Sequence, residues 1–239
     1  MNNAPAQPVT EKIPVILATG NPDKVKELRP MLEGISPVFR IHSLSGLGIT
    51  ADIAETERTL EGNALLKADA IFRLLENRFP FLIVLADDTG LEVSALGGEP
   101  GVYSARFAPV PEGERPTYEK NVRHLLLRMK GCRNRTALFR TVIAIKGRIP
   151  SGETVHCFQQ TTEGTLEGSI ATERKGEGGF GYDPVFQVTS TGKTYGEISL
   201  QEKNSISHRS RALQKAAAAL AEIMNNHHFP ATHKREPEI

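Results

Sequence analysis

An α/β protein built on a mixed β-sheet is the fold class this sequence predicts, and three observations predict it. A short apolar run at Ile13 to Ala18 feeds through a Thr-Gly turn into a helix start. An amphipathic stripe from Leu60 to Leu75 is followed by a second apolar run, Phe81 to Ala86. Alternating strands and helices of this kind build parallel strands with crossover helices. Two later β runs, Ala137 to Ile145 and Glu153 to Thr162, are separated only by Gly147 to Gly152. They read as an antiparallel hairpin with a longer loop, which makes the sheet mixed rather than all parallel.

Composition narrows the function classes. A hydrophobic fraction of 39% and a charged fraction of 24% are those of an ordinary globular chain, long enough at 239 residues for a substantial core. Lys and Arg number 29 against 28 Asp and Glu, a net charge of +1. That balance argues against a protein whose main task is coating nucleic acid or a membrane, because such binding relies on a large positive excess. It leaves room for a local basic pocket that holds one polyphosphate. Cys132 and Cys157 lack metal-ligand or C-x-x-C spacing and read as free thiols. The first residues show neither a basic n-region nor an apolar h-region, so no signal peptide is expected, and no apolar run is long enough for a membrane span. The expected location is the cytoplasm.

Residues 1–12 are polar, with Pro5 and Pro8, and read as a flexible extension. In the first β run Pro14 suits only the opening residues of a strand or an edge. Thr19 and Gly20 then turn the chain. Asn21 is a good N-cap, Pro22 a good first helical residue, and Asp23 favours the first turn. Free N–H groups at that helix start, with Lys24 beside them, can take an anion. An ordinary βα connection has the same look, so the segment by itself decides nothing. Val25, Leu28 and Leu32 share one face, and Pro30 is expected to kink or end the helix near Arg29. The stretch from Phe39 to Asp52 is irregular and stays unassigned.

Leu60, Ala64, Ala68, Ile71 and Leu75 form the apolar stripe of the next helix. Beside it Thr59, Asn63 and Lys67 repeat on an adjacent face. Such a polar stripe is usually the solvated side of a helix. Here it starts close to Glu55, which also makes a substrate-facing role worth testing. After Asn77 to Pro80 breaks the helix, the second β run ends in Asp87 and Asp88, and Thr89-Gly90 is expected to turn the chain. A strand that delivers carboxylates to the carboxyl edge of a sheet is how α/β proteins build ligand sites. Two adjacent unpaired aspartates repel, unless a cation sits between them; as solvated turn formers they would be unremarkable. Gly97, Gly98, Pro100 and Gly101 make a tight rigid loop that Arg106 closes with a fixed positive charge.

The remaining elements follow in order. Tyr118 to Lys130 is amphipathic, with Tyr118, Val122, Leu125, Leu126 and Met129 on its apolar face. The hairpin runs come next, and Glu163 to Phe186 is glycine-rich and short of helix signals. A final helix from about Ser207 to Met224 has Leu213, Ala217, Leu220 and Met224 facing the core. Residues 13–225 are therefore expected to form one domain, with 226–239 a flexible tail.

Two familiar nucleotide motifs fail on context. Gly176 to Gly181 satisfies G-x-G-x-x-G, but a charged segment precedes it and Tyr182-Asp183-Pro184 follows, so no strand-turn-helix is available. Gly192-Lys193-Thr194 resembles the end of a P-loop, but Gln187 stands where the first glycine is required. The last helix breaks a rule instead. Ser207 is a plausible N-cap, which puts His208, Arg209 and Arg211 in a first turn where cations cost a few tenths of a kcal/mol each, up to about 1. They could simply point into water. With Lys203 just upstream, they could also recognise an electron-rich ligand edge.

Five blocks occur in the order seen in one protein family. They are TGNPDK (Thr19 to Lys24), ETERT with Asn63 and Lys67 (Glu55 to Lys67), ADDTGLEVSALGGEPGVYSARFA, GGFGYDPVF (Gly178 to Phe186) and EKNSISHR (Glu202 to Arg209). From about Ile13 to Met224 the chain resembles the inosine/xanthosine triphosphate pyrophosphatases. The resemblance implies an elongated mixed-sheet fold of two lobes around a central cleft, and a homodimer. It also implies Mg²⁺-dependent hydrolysis of dITP, ITP and XTP to the monophosphate and pyrophosphate, with a small nucleotide and no nucleic acid as partner. Carried over, Glu55 and Asp88 hold the metal and Asp88 is the base. Thr19, Gly20, Asn21, Pro22, Asp23, Lys24, Asn63, Lys67, Thr89 and Lys203 are on the substrate side, chiefly at the phosphates. Phe180, Gly181, Tyr182 and Asp183 with His208 and Arg209 hold the base. Thr89 stands where the family often has Ser, and Pro22-Asp23 fill variable positions.

The chemistry agrees with the resemblance. Attack of water at the α-phosphorus needs charge neutralisation, which a divalent cation and lysines provide. A 6-oxo purine offers an acceptor to His and Arg donors, whereas the 6-amino group of adenine leaves such donors unpaired. Two other readings are kept open: a pyrophosphatase for another modified base, and a non-catalytic nucleotide binder using the basic stretch Arg123, Arg128, Lys130, Arg133 and Arg135. That stretch also reads as a solvated helix end, and an aromatic content of 6% leaves few stacking platforms.

Overall fold

The computed structural model describes residues 12–34, 36–51 and 53–227. Strand β1 (Ile13–Leu17) lies between β2 (Phe39–Ser43) and β3 (Leu82–Val93) and runs parallel to both. Strand β3 then pairs antiparallel with β5 (Thr136–Ser151), from Leu82 opposite Arg148 to Val93 opposite Ala137. Beyond β5 lie β6 (Thr154–Ile170) and β7 (Phe186–Val188), both antiparallel, while the two-residue β4 (Pro100–Gly101) pairs with the end of β3. The sheet is mixed, as the hairpin predicts.

Two layers of helix cover it. Helices α1 (Pro22–Glu33) and α5 (His208–Asn226) pack on one face, where Leu28, Leu32, Leu213 and Leu220 meet Ile83 and Leu85. Helix α2 (Leu60–Leu75) covers the other face, with Leu60, Ala64, Ala68 and Ile71 against Leu82, Val84 and Ala86. Alternate residues of β3 thus feed opposite cores, as the pleat requires. Each fully buried Leu or Ile here contributes about 1.5–3 kcal/mol. A third core fills the far end of the long strands, where Leu91, Val93, Phe139, Leu166 and Phe186 pack with α3 (Tyr118–Arg128) and Tyr195.

Several boundaries differ from the sequence reading. The second β run does not stop at Ala86: β3 continues through Asp87, Asp88, Thr89 and Gly90, because β5 pairs with it all the way. Gly90 is required for a different reason than turning. A Cβ there would lie 2.7 Å from the Gly101 carbonyl oxygen, so the residue lets β4 press onto β3. Helix α1 runs through Pro30 to Glu33. The hairpin has a two-residue turn at Gly152-Glu153, and its strands take in Gly147 and reach Ile170. The unassigned stretch contains β2 and a 3₁₀ turn at Ser45–Leu47, and a short helix α4 (Leu200–Ile206) precedes α5. Tyr118 is 44% exposed and leaves the core face of α3.

The expected flexible ends fall almost wholly outside the described residues. Within them, α5 reaches Asn226 and the His227 ring bonds the Ser151 hydroxyl at 2.8 Å, so the ordered helix extends past the expected boundary. Among the described residues no helix is long and apolar enough to cross a membrane.

Candidate active site

The cleft arises from a mismatch between strands. Strand β1 pairs with β3 only as far as Leu85, with one further bond from the Ala18 amide to the Leu85 carbonyl, and β4 joins only at Leu91. Between them one edge of β3, residues 86–90, carries no neighbouring strand. The carboxyl end of β1 opens at the same level, which is where ligands bind in sheets of this type.

Asp87 and Asp88 therefore face opposite ways. Asp87 shares the α1 and α5 side with Thr89, and its Oδ2 lies 2.9 Å from Lys24 Nζ and 3.4 Å from Arg209 Nε. Burial pushes the Asp87 carboxyl up, but Lys24 and then Arg209 outweigh it and hold it well below the usual carboxylate range. Asp88 faces α2, where its Oδ1 accepts from Lys67 Nζ at 2.7 Å. Burial leaves Asp88 raised despite Lys67. Burial also acts to lower Lys67, but Asp88, Asp87 and Glu55 together more than offset it and the lysine remains an ammonium. The adjacent aspartates are thus neither a repulsive pair nor a solvated turn. Each has its own cation, and one oxygen of each, Asp87 Oδ1 and Asp88 Oδ2, is buried with no protein partner among the described residues.

Glu55 completes the acidic side. Its Oε1 accepts from Lys67 at 3.1 Å and its Oε2 from Arg106 at 2.7 Å, while Arg106 also donates to the Glu55 carbonyl. Arg106 closes this wall by pinning Glu55. Of the polar stripe on α2, Asn63 and Lys67 are buried and face inward, whereas Thr59 is exposed. Asn63 is fully buried and accepts from the Glu57 amide at 3.0 Å, which fixes the segment that carries Glu55. Thr59 caps the helix through the Gly62 amide.

The opposite wall comes from α1, α4, α5 and the 180s turn. Asn21 caps α1 by accepting from the Asp23 amide at 2.9 Å, and its own amide bonds the Thr19 hydroxyl, so Thr19, Gly20 and Asn21 shape the turn that presents Lys24. Pro22 and Asp23 form the first turn, with Pro22 exposed and Asp23 beside Lys26. Phe180 presents its ring between Tyr118, at 5.8 Å between centroids, and Lys203 Nζ, at 4.7 Å. Asp183 Oδ2 accepts from Lys203 at 2.6 Å and from the Phe180 amide at 2.8 Å, which ties the Phe180-Gly181 turn to α4. Tyr182 is anchored by its hydroxyl to the Ser104 carbonyl.

His208 and Arg209 do not point into water. Each is 3% exposed, whereas Arg211 is exposed as a solvated first-turn residue would be. The cost of the Arg209 charge at a helix N-terminus is offset by Glu27, a buried α1 carboxylate that accepts from both Arg209 and Lys203, the latter at 2.8 Å. A close approach makes this possible. A Cβ at Gly164 would lie 2.1 Å from the His208 carbonyl oxygen, so glycine lets the first turn of α5 rest directly on β6.

The chain matches the model of the Ham1 family over residues 15–219. It belongs to the Ham1 family. It is 55% identical over 221 residues to the dITP/XTP pyrophosphatase of Chlorobaculum tepidum, covering 92% of this chain and 97% of that one. To the dITP/XTP pyrophosphatase of Bacillus subtilis it is 44% identical over 207 residues, covering 86% and 96%. Among solved structures it is similar to the Staphylococcus aureus Ham1 protein, with a TM-score of 0.70 at 35% identity and coverage of 88% and 99%. A HAM1 protein from Coxiella burnetii gives a TM-score of 0.72 at 32% identity, again covering 88% and 99%.

For a Ham1 chain, the site reading missed four residues. The sequence reading assigned no role to Glu27, Thr141 or Asn121 and put Tyr118 on the apolar face of its helix. Only Asn121 carried a usable signal: a polar side chain among the apolar positions of α3 that accepts from the Ala108 amide and donates to the Ala105 carbonyl. Two larger hollows in this Ham1 fold are one of about 680 Å³ beside Lys12, Arg40, His42 and Arg78, with no carboxylate in its lining, and one of about 690 Å³ on the outer side of Glu55, beside Arg106, Glu114 and Arg115. The acid–base groups line a smaller one of about 120 Å³.

Among the described residues no group of three or more His, Cys, Asp or Glu could hold a metal ion. Magnesium needs less than that, since it keeps several waters and is held by one or two carboxylates plus substrate phosphates. The unpartnered Asp88 Oδ2 beside Glu55 fits that donor set.

Proposed function

We propose that the protein hydrolyses dITP, ITP and XTP to the nucleoside monophosphate and pyrophosphate, with Mg²⁺ held by Glu55 and Asp88. The observation that carries this reading is the Asp88–Lys67–Glu55 cluster directly across the cleft from Phe180, Lys203, His208 and Arg209. An acid–base centre thus faces a pocket of aromatic surface and fixed donors. The names of the relatives at 55% and 44% identity support dITP and XTP among these substrates.

Asp88 accepts the proton of the attacking water as its oxygen bonds to the α-phosphorus. The bond from that phosphorus to the β-bridging oxygen breaks and pyrophosphate leaves. A raised pKa suits a group that must accept a proton near neutral pH. Lys24, Lys67 and Lys203 bind the phosphates, with Lys24 presented by the capped turn at the start of α1; Asn63 and Thr89 hold that surface in place. When bound, the metal supplies Lewis-acid neutralisation of the polyphosphate charge. Phe180 stacks on the base, Gly181, Tyr182 and Asp183 shape its slot, and Arg209 donates to the 6-oxo group.

The basic stretch does not favour a nucleic-acid binder. Arg128 is paired with Glu99, and Arg135 is bonded to the carbonyls of Met129, Ile170 and Ala171. We place the enzyme in the cytoplasm, where its substrates arise, as a homodimer, both on the strength of the family resemblance. A panel of nucleoside triphosphates with Mg²⁺ tests the activity. Pyrophosphate released from dITP and XTP well ahead of dATP is the expected result. Orthophosphate as product, or equal rates on dATP, would overturn it.

A further inference from the structure

Behind the base pocket runs a chain of hydroxyls that ends on His208. Thr89 Oγ1 lies 3.3 Å from Asp87 Oδ2 and 2.7 Å from Thr141 Oγ1, and Thr141 Oγ1 lies 2.7 Å from His208 Nδ1. Thr141 is fully buried on β5, and the His208 ring is stacked on Phe139 at 4.6 Å. With Nδ1 facing Thr141, the direction of each bond can be counted.

The Asp87 carboxylate, held in ion pairs with Lys24 and Arg209, only accepts. Thr89 spends its single hydroxyl proton on it. The Thr89 oxygen is left to accept, and it does so from Arg209 at 3.2 Å and from Thr141. That commits the only proton of Thr141. The remaining bond, to His208, then needs its proton from the ring, so Nδ1 carries hydrogen. Burial beside Arg209 and Lys203 keeps the ring uncharged, which leaves Nε2 bare. His208 lines the base pocket, and Nε2 has no protein partner among the described residues.

We infer that Thr141, through Thr89 and Asp87, fixes His208 as a hydrogen-bond acceptor at Nε2, so that the pocket reads the N1–H of a lactam purine as well as its 6-oxo oxygen. The inference rests on the proposed purine triphosphate activity and changes how the base is read. A donor from Arg209 and an acceptor from His208 are complementary to hypoxanthine and xanthine. Adenine presents the reverse pair, a bare N1 and an amino group, so it meets two mismatches instead of one. The 2-position is untouched by this device.

Thr141 is thus a positioning residue. A long-range proton–nitrogen NMR correlation on isotope-labelled full-length protein reads the His208 tautomer without any substrate, so it stands even if the proposed activity fails. The Nδ1–H form is expected in the parent protein. The Nε2–H form there overturns the inference, and this result requires no variant. Thr141→Val should let the ring adopt Nε2–H and lower the dITP-to-dATP ratio of kcat/KM by roughly tenfold or more, because adenine then meets a donor. Thr141→Ser should restore both tautomer and ratio. A Thr141→Val protein that keeps Nδ1–H, or that changes tautomer with the ratio unmoved, also overturns it, whereas a plain loss of packing would lower both substrates together.

Discussion

Lys67 Nζ lies 2.7 Å from Asp88 and 3.1 Å from Glu55, so the two carboxylates assigned to the metal share one lysine. A cation is needed there in any state of the enzyme, because two carboxylates this close destabilise each other in a poorly hydrated cleft. Lys67 serves the free protein, and a divalent ion with bound polyphosphate can take over that role while Lys67 turns to a phosphate.

Lys67→Ala should therefore destabilise the free protein by roughly 3 kcal/mol, as expected when one partner of a largely buried pair is removed. Mg²⁺ should restore part of the loss by binding the folded form. Thermal melts with and without Mg²⁺ check this. A melting temperature equal to the parent's would show that the lysine does not hold the carboxylates.

Asp88→Asn keeps the shape of the side chain but removes the base. We expect kcat to fall by about 10²- to 10⁴-fold, the usual worth of a positioned general base, with nucleotide binding within a few-fold of the parent. Unchanged turnover would take Asp88 out of that role.

Glu27→Ala leaves Lys203 and Arg209 buried without their shared carboxylate. A cost of about 3–5 kcal/mol is expected, together with a raised KM, because both cations belong to the nucleotide pocket. Denaturant midpoints and steady-state kinetics measure the two effects. A variant as stable as the parent would mean that Asp87 and Asp183 suffice to hold these cations.

Phe180→Ala removes the half-buried ring of the base slot. Stacking on an aromatic ring is worth about 1–3 kcal/mol per base, so KM should rise roughly 10- to 100-fold with stability little changed. A KM within twofold of the parent, roughly 0.4 kcal/mol, would place the base elsewhere.

His208 gives a pH signature. Burial, with Arg209 and Lys203 beside it, lowers its pKa well below the ordinary histidine value of about 6.5. The unfolded chain then binds the proton more readily than the folded one, so this group costs stability as pH falls below about 6.5 and costs nothing above it. The slope from this group alone is at most about 1.4 kcal/mol per pH unit. Unfolding free energies between about pH 5 and 7 should show a shallower slope for His208→Gln than for the parent. Identical slopes would contradict a neutral buried ring.

Much of this protein was legible in its sequence. The capped start of α1, the stripe of α2, the N-cap Ser207 and the mixed sheet each rest on local pattern, which a neighbour three or four residues away determines. The roles expected of Asp88, Glu55, Lys67 and the His208-Arg209 pair came from the family resemblance, because charges in such patterns also read as solvated side chains. Tertiary structure alone decided which way each of them faces. Nothing local shows that β3 continues through Asp87 to Gly90, because the pairing that extends it lies on β5, about fifty residues downstream. That pairing sends Asp87 to α5 and Asp88 to α2 and turns an acidic doublet into two separate ion pairs. Glu27 and Thr141 were unreadable for the same reason: their partners stand 176 and 67 residues away in the chain, and a charge on a helix or a threonine on a strand shows its purpose only once folding brings that partner into reach.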